Sequence, residues 1–197
     1  MNIYANFDLL YLILNIATKY SEISFYEINV LLYLSKLISI YDGRTSESWK
    51  YEFTVSESGA PISKDILSEI ESMQSNFILD SGDGIYFSIK NRRFVESAIT
   101  NLSSQQMFIR RVKYLQCAID ALLSKTLPTI VNAMQSEPGI REFRALDRAG
   151  ILHDISDATE DDIFVDFKTL KCIIGEEKSD VFVPACIWID CLSAVEV

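Results

Sequence analysis

The chain has 197 residues, 49% of them hydrophobic, and a formal net charge of −10. That apolar fraction excludes wholesale disorder, and the length suffices for one domain or two small ones with real cores. The charge is segregated: residues 1–89 hold 5 Lys/Arg against 12 Asp/Glu (net −7), residues 90–148 hold 10 against 5 (net +5), and residues 149–197 hold 3 against 11 (net −8). Such a layout points to a central basic element that meets an acidic partner surface or pairs with its own flanks.

The first predicted helix is capped by Asn6 and runs to about Tyr20. Leu9, Leu10, Leu12, Ile13, Leu14 and Ile16 make it apolar almost all round, which requires burial on more than one side. Ser24 and Glu27 form a capping box that opens a second helix through Ile40, and Asp42-Gly43 ends it. Trp49 to Val55 alternates aromatic or β-branched residues with polar ones, as a half-buried strand does. After the loop Ser56–Pro61, Ser63 caps a helix over residues 63–75 with Ile66, Leu67, Ile70 and Met73 on one face. Lys64 stands against Asp65, Glu69 and Glu71 on the other. A hairpin over 77–89 follows, with Asp80 to Gly84 as its acidic turn.

Helices, strand, helix and hairpin in that order predict a winged-helix domain over residues 1–92. Its DNA-reading helix and hairpin tip carry the wrong sign to neutralise phosphates. A helical extension is expected over 93–149. It comprises a short helix from Arg93 to Asn101, then a long one from Ser104 to about Lys125 with the stripe Phe108, Val112, Leu115, Ile119 and Leu122. Arg110, Lys113 and Tyr114 lie opposite that stripe. Pro128 marks a kink or a new helix over 129–134, and Pro138-Gly139 begins another with Arg141, Arg144 and Arg148 in one row. Residues 150–197 form an acidic C-terminal part: an acidic loop from Asp154 to Asp162, a β-like run Ile163–Phe167, and an apolar tail. The expected fold class is α+β, mainly α.

Catalytic signals are weak. Asp166, Glu176 and Lys178 imitate the spacing of a metal-dependent nuclease, but Gly175 to Asp180 reads as a solvated turn. His153 beside Asp154 lacks a nucleophile motif. Thr159 to Asp162 resembles a calcium loop only in charge, and Thr159 as a helix N-cap explains it. Gly82-Asp83-Gly84 has no lysine and no following helix to make a phosphate cradle. Cys117, Cys172, Cys186 and Cys191 have no paired spacing, so free thiols in a reducing cytosol are expected. No metal or cofactor is expected. The N-terminal stretch lacks the basic region of a signal peptide, and the apolar run Leu9–Ile16 falls short of the ~20 residues a membrane span needs. A cytoplasmic protein with no membrane partner is expected.

Lys90, Arg92, Arg93, Arg110, Arg111 and Lys113 form the basic segment. Solvated faces paired with this protein's own acids, an acidic protein partner and nucleic acid are its three readings.

Tyr51-Glu-Phe-Thr-Val-Ser-Glu-Ser-Gly59-Ala-Pro61-Ile-Ser63-Lys-Asp-Ile66, followed by a short hairpin, resembles a bacterial group of small winged-helix proteins. That group includes SocA-like antitoxins and the small middle components of three-component ABC-ATPase defence systems. The group's pattern is an aromatic strand, then Gly-Pro and a serine opening a helix. Here Ala60 separates Gly59 from Pro61. The overall plan is also similar to the small subunit of Lamassu-type anti-phage complexes, which accompanies an SMC-like ATPase and a nuclease effector. The resemblance implies a non-catalytic adaptor joining ATPase and effector, touching nucleic acid only indirectly. A winged-helix transcription regulator or antitoxin is the first alternative, and the metal-dependent nuclease the second. Leu9, Leu12, Ile13, Arg110, Arg111, Lys113, Phe182, Trp188 and Leu192 are the expected partner-binding residues, because the first helix and the tail expose more apolar surface than one small domain buries easily.

Overall fold

The computed structural model describes residues 1–17, 20–76, 78–81, 86–146, 152, 158–174 and 181–194. Its centre is a helix apolar on every side, α2 (Phe25–Tyr41), in which every residue from Ile28 to Ile40 is buried. The capping box at its start forms as expected: Ser24 Oγ accepts from Glu27 N, and Ser24 N donates to Glu27 Oε2 at 2.8 Å. At its end Gly43 adopts φ +85°, Arg44 N donates to Ser39 O, and Gly43 N donates to Ile40 O. This Schellman closure satisfies two of the last carbonyls. The polar residues caught inside α2 are also satisfied. Ser35 Oγ bonds Leu31 O, Ser39 Oγ bonds Lys36 O, Lys36 Nζ reaches Leu152 O, and Asn29 Oδ1 accepts from Ser63 N.

Around α2 pack α1 (Ile3–Ile16), α5 (Gln106–Ser124), α6 (Leu127–Gln135) and α8 (Ala158–Ile174). Short strands β1 (Ile23–Ser24), β4 (Leu79–Ser81) and β5 (Tyr86–Ile89) form an antiparallel sheet in the order β1-β5-β4, with Ile23 opposite Phe87 and Leu79 opposite Ile89. Between α2 and α3 (Lys64–Ser75) lie a 3-10 turn, Ser46–Trp49, and a two-strand ribbon of β2 (Thr54–Val55) and β3 (Pro61–Ile62). The remaining helices are α4 (Arg92–Ser103), α7 (Pro138–Leu146) and α9 (Phe182–Ser193). The described residues are thus mainly helical with two small sheets. None of their helices is long and apolar enough to cross a membrane.

One continuous apolar core joins α1–α3, α5–α6 and α8–α9. Helix α1 packs against α2, α3, α4 and α5, which cover it on all sides. Leu9 and Leu12 are therefore fully buried and Ile13 nearly so, by this chain's own helices. Trp188 and Leu192 are likewise buried, because α9 packs on α5, α6 and α8, while Phe182 is half-buried. The burial expected from a second chain is supplied within this one.

Several boundaries differ from those expected. Asn2, not Asn6, caps α1: its Oδ1 accepts from Tyr4 N at 3.1 Å and Ala5 N at 3.3 Å. Trp49 to Val55 is not a strand beyond Thr54–Val55, although its alternation is real. Trp49, Tyr51 and Phe53 are buried while Lys50 and Glu52 are exposed. The run Ile163–Phe167 is part of α8, whose inward residues Phe167, Leu170 and Ile174 recur at helical spacing. Thr159 falls inside the first turn of α8. Lys125 and Thr126 separate α5 from α6, and Pro128 sits in the first turn of α6, where a missing N–H costs nothing. Pro138 does begin α7.

Candidate functional site

A charged residue inside an apolar helix needs a partner, and Asp8 finds its partner 103 positions away. Arg111 Nε donates to Asp8 Oδ1 at 2.6 Å, and Tyr51 Oη donates to Asp8 Oδ2 at 2.8 Å. Arg111 Nη2 reaches the carbonyl of Trp49 at 2.6 Å. The guanidinium lies 4.0 Å from the Trp49 ring centroid, with Tyr4 at 5.2 Å and Tyr51 at 5.4 Å. Three distant segments are clamped here: α1, the stretch after the 3-10 turn, and α5. Phe7 stacks on Phe108 at 4.1 Å beside the clamp. Burial pushes the Asp8 carboxyl above the ordinary carboxylate range, partly offset by Arg111. Burial and then the Asp8 charge raise the Tyr51 phenol well above its usual value. Both Asp8 oxygens are hydrogen-bonded, and the cluster ties these three segments together.

On its outer side Arg111 borders an open cleft of about 140 Å³, between the end of α2, the 3-10 turn and α5. Arg44, Ser48, Trp49, Met107, Arg110 and Tyr114 also line it. Beside the cleft the exposed Asp42 accepts from Tyr114 Oη at 2.7 Å and pairs with Lys113 Nζ at 3.3 Å. Burial, and then the hydrogen bond to Asp42, push the Tyr114 phenol up to about 12.

The basic segment is dispersed by this packing. Arg92 pairs with Glu96 within α4, Arg111 with Asp8, Lys113 with Asp42 and, from further along α5, Lys125 with Asp190 of α9. Arg111 is only 6% exposed, so it is a core residue and not part of a docking surface with Arg110 and Lys113, which remain exposed. Tyr114, expected on the outer face of α5, is buried as well, because α2 covers that side.

The acidity of α3 is also redistributed. Glu69 is buried and accepts from Asn2 N at 2.6 Å and Asn6 Nδ2 at 3.0 Å, while Asp65 accepts from Asn2 Nδ2 at 3.0 Å. Both carboxylates sit at the N-terminus of α1, where the helix dipole favours negative charge. The side chains that α3 leaves exposed include Lys64, Leu67, Ser68, Glu71 and Ser72, a face with one cation and one anion.

Of the nuclease-like set, Asp166 lies on the exposed side of α8. Glu176 and Lys178, like His153, Asp154, Arg148 and the hairpin tip 82–85, lie outside the described residues. No group of three metal-ligating side chains occurs among the described residues. Cys117, Cys172, Cys186 and Cys191 form no disulfide. The residues that sequence reasoning missed are Asp8, Tyr51 and Arg44. A signal existed for the first: a lone aspartate in an apolar helix, and an arginine three residues after Phe108 and four before Leu115, on the stripe's own side. Compared with known proteins, the chain matches no family model, no curated protein and no solved structure.

Proposed function

We propose that residues 1–92 form a winged-helix module and that the chain is a non-catalytic adaptor subunit that binds proteins rather than nucleic acid. The order α1, β1, α2, α3, β4, β5, with three helices closed by a hairpin, supports the module. The outward face of α3 carries the functional reading. In a DNA reader of this plan that helix enters the major groove, and affinity comes from neutralising phosphates. Here Lys64 is offset by Glu71 around an exposed Leu67, so there is no excess positive charge to release counterions. A neutral face of serines around one apolar side chain suits a protein surface better than a polyanion.

The resemblance of residues 51–66 to middle components of ABC-ATPase defence systems names the partners: an SMC-like or ABC ATPase and an effector, in a Lamassu-type assembly. Purifying the chain with the products of its neighbouring genes, and weighing the intact complex, tests this. A defined complex that Leu67→Glu weakens, with the free chain equally stable, is expected. Fluorescence anisotropy of the chain alone with duplex DNA is expected to show no saturable binding. Salt-sensitive duplex binding lost on changing Lys64 or Ser68 would refute the adaptor reading and favour a transcription regulator.

A further inference from the structure

We infer that the cleft between the end of α2, the 3-10 turn and α5 binds a phosphate monoester, gripped by Arg44 and Arg110 with Arg111 as its floor. The inference rests on a local charge balance. Asp8 compensates Arg111, and Asp42 compensates Lys113. No ion pair to a carboxylate is formed by Arg44 or Arg110 among the described residues, yet both face the same cleft. Arg44 does share the Tyr114 hydroxyl with Asp42, so among the described residues at the cleft three cations, Arg44, Arg110 and Lys113, stand against the one carboxylate of Asp42, an excess of two positive charges in a protein whose net charge is −10. Isolated cations on such a surface would be expected to find one of its many carboxylates.

The ligand that completes this balance carries close to two negative charges. A phosphate monoester does, with a charge of about −1.5 to −2 at neutral pH. A phosphodiester carries only one, which disfavours a nucleic-acid backbone. The planar forks of Arg44 and Arg110 match the oxygen spacing of a phosphoryl group, a geometry that lysine lacks. The cleft, at about 140 Å³, is roughly ten times the ~10–15 Å³ that admits one water. It therefore holds a phosphoryl group and the first atoms beyond it. Trp49 and Met107 supply apolar wall beside the arginines.

The hydroxyls nearby have partners: Ser48 Oγ bonds Thr45 O, and Tyr114 Oη donates to Asp42 and accepts from Arg44. Recognition therefore falls on the two arginines. The C-terminus of α2 does not oppose the anion strongly, because Arg44 N and Gly43 N already occupy the carbonyls of Ser39 and Ile40.

Calorimetric titration of the full chain at low ionic strength tests this with inorganic phosphate, adenosine monophosphate, and a phosphoserine peptide beside its unphosphorylated form. Saturable phosphate binding is expected. A gain for the nucleotide over phosphate assigns the group to a small molecule, and a gain for the phosphopeptide assigns it to a protein. Arg44→Ala and Arg110→Ala should each weaken binding by about tenfold or more, as loss of a charge-assisted contact does. Lys113→Ala, whose partner is Asp42, should change it by no more than about twofold. Absence of saturation by roughly 10 mM phosphate, far weaker than a built site delivers, would overturn the inference. So would equal losses in all three variants, which mean diffuse attraction, or a duplex that competes for Arg44 and Arg110 more strongly than any monoester.

Discussion

Replacing Asp8 with alanine strips the counter-charge from Arg111, a guanidinium that is 6% exposed. Breaking a buried pair by removing one partner costs about 3–5 kcal/mol, and the stranded Tyr51 hydroxyl adds about 1–3 kcal/mol. Neighbouring losses do not add fully, so a net of about 4 kcal/mol is expected for Asp8→Ala. That is a large share of the ~5–15 kcal/mol that holds a domain folded. One competing effect works the other way. Arg111 borders the open cleft, so the arginine has a route to water once Asp8 is gone. Taking that route would break its bond to the Trp49 carbonyl and lift it off the Trp49 ring at 4.0 Å. A buried cation–π contact of that kind is worth up to about 2 kcal/mol, which holds the side chain in place. Urea denaturation followed by tryptophan fluorescence reads the effect, since Trp49 lies directly under the guanidinium. The double variant Asp8→Leu/Arg111→Met should recover most of the loss, because an apolar pair of similar size removes the desolvation cost at both ends. A loss below about 1 kcal/mol for Asp8→Ala, or a double variant no better than the single one, would refute the clamp.

Two other perturbations test separate parts of the fold. Tyr114 is raised to about 12 in the folded protein, against ~10 in an unfolded chain. Between those values the unfolded state has released a proton that the folded state keeps, so stability falls as pH rises from about 10 towards 12. The slope from this group is at most ~1.4 kcal/mol per pH unit, less because the hydroxyl lies near solvent. Alkaline urea melts of Tyr114→Phe should show that share of the slope gone, and a slope identical to the parent's would contradict the assignment. Gly59 holds φ +78°, and a Cβ there would lie 2.8 Å from Arg144 Cδ. Gly59→Ala should cost about 1–2 kcal/mol, mostly backbone strain. Adding Arg144→Ala should restore little of it in a thermal melt, whereas full rescue would place the cost in the side-chain clash.

How far the sequence could be read depends on which physical quantity each pattern reports. The capping box of Ser24 and Glu27 is a local hydrogen-bond pattern, and it forms as written. The stripe on α5 reports a buried face and is equally direct. Trp49 to Val55 is different: alternation reports which side chains are buried, not whether the backbone has a strand to pair with. Trp49, Tyr51 and Phe53 do enter the core, yet only Thr54–Val55 finds a neighbouring strand. The acidic face ascribed to α3 failed for another reason. Helical spacing says which residues share a side, but not that Glu69 and Asp65 meet the amides of Asn2 and Asn6, more than sixty positions earlier. The same holds for α1. An all-round apolar helix calls for burial on every side, and whether that cover comes from a partner or from α2 to α5 is a question of topology.

The segregated charge of the sequence gains its meaning from the same long-range pairing. Basic residues of the central segment reach acids on both flanks: Arg111 reaches Asp8, Lys113 reaches Asp42, and Lys125 reaches Asp190. These pairs are unequal. The exposed contact of Lys113 with Asp42 contributes about 0–1 kcal/mol, so it orders the surface more than it stabilises the fold. The pair at Asp8 differs because both charges have left water, which makes the loss of either costly and fixes α1 against α5. Compensation on this pattern is incomplete at the cleft, where among the described residues Arg44, Arg110 and Lys113 stand against the one carboxylate of Asp42. In an acidic protein a local excess of cations is the departure from the rule, and that departure, rather than the basic segment as a whole, is what the proposed phosphate monoester would balance.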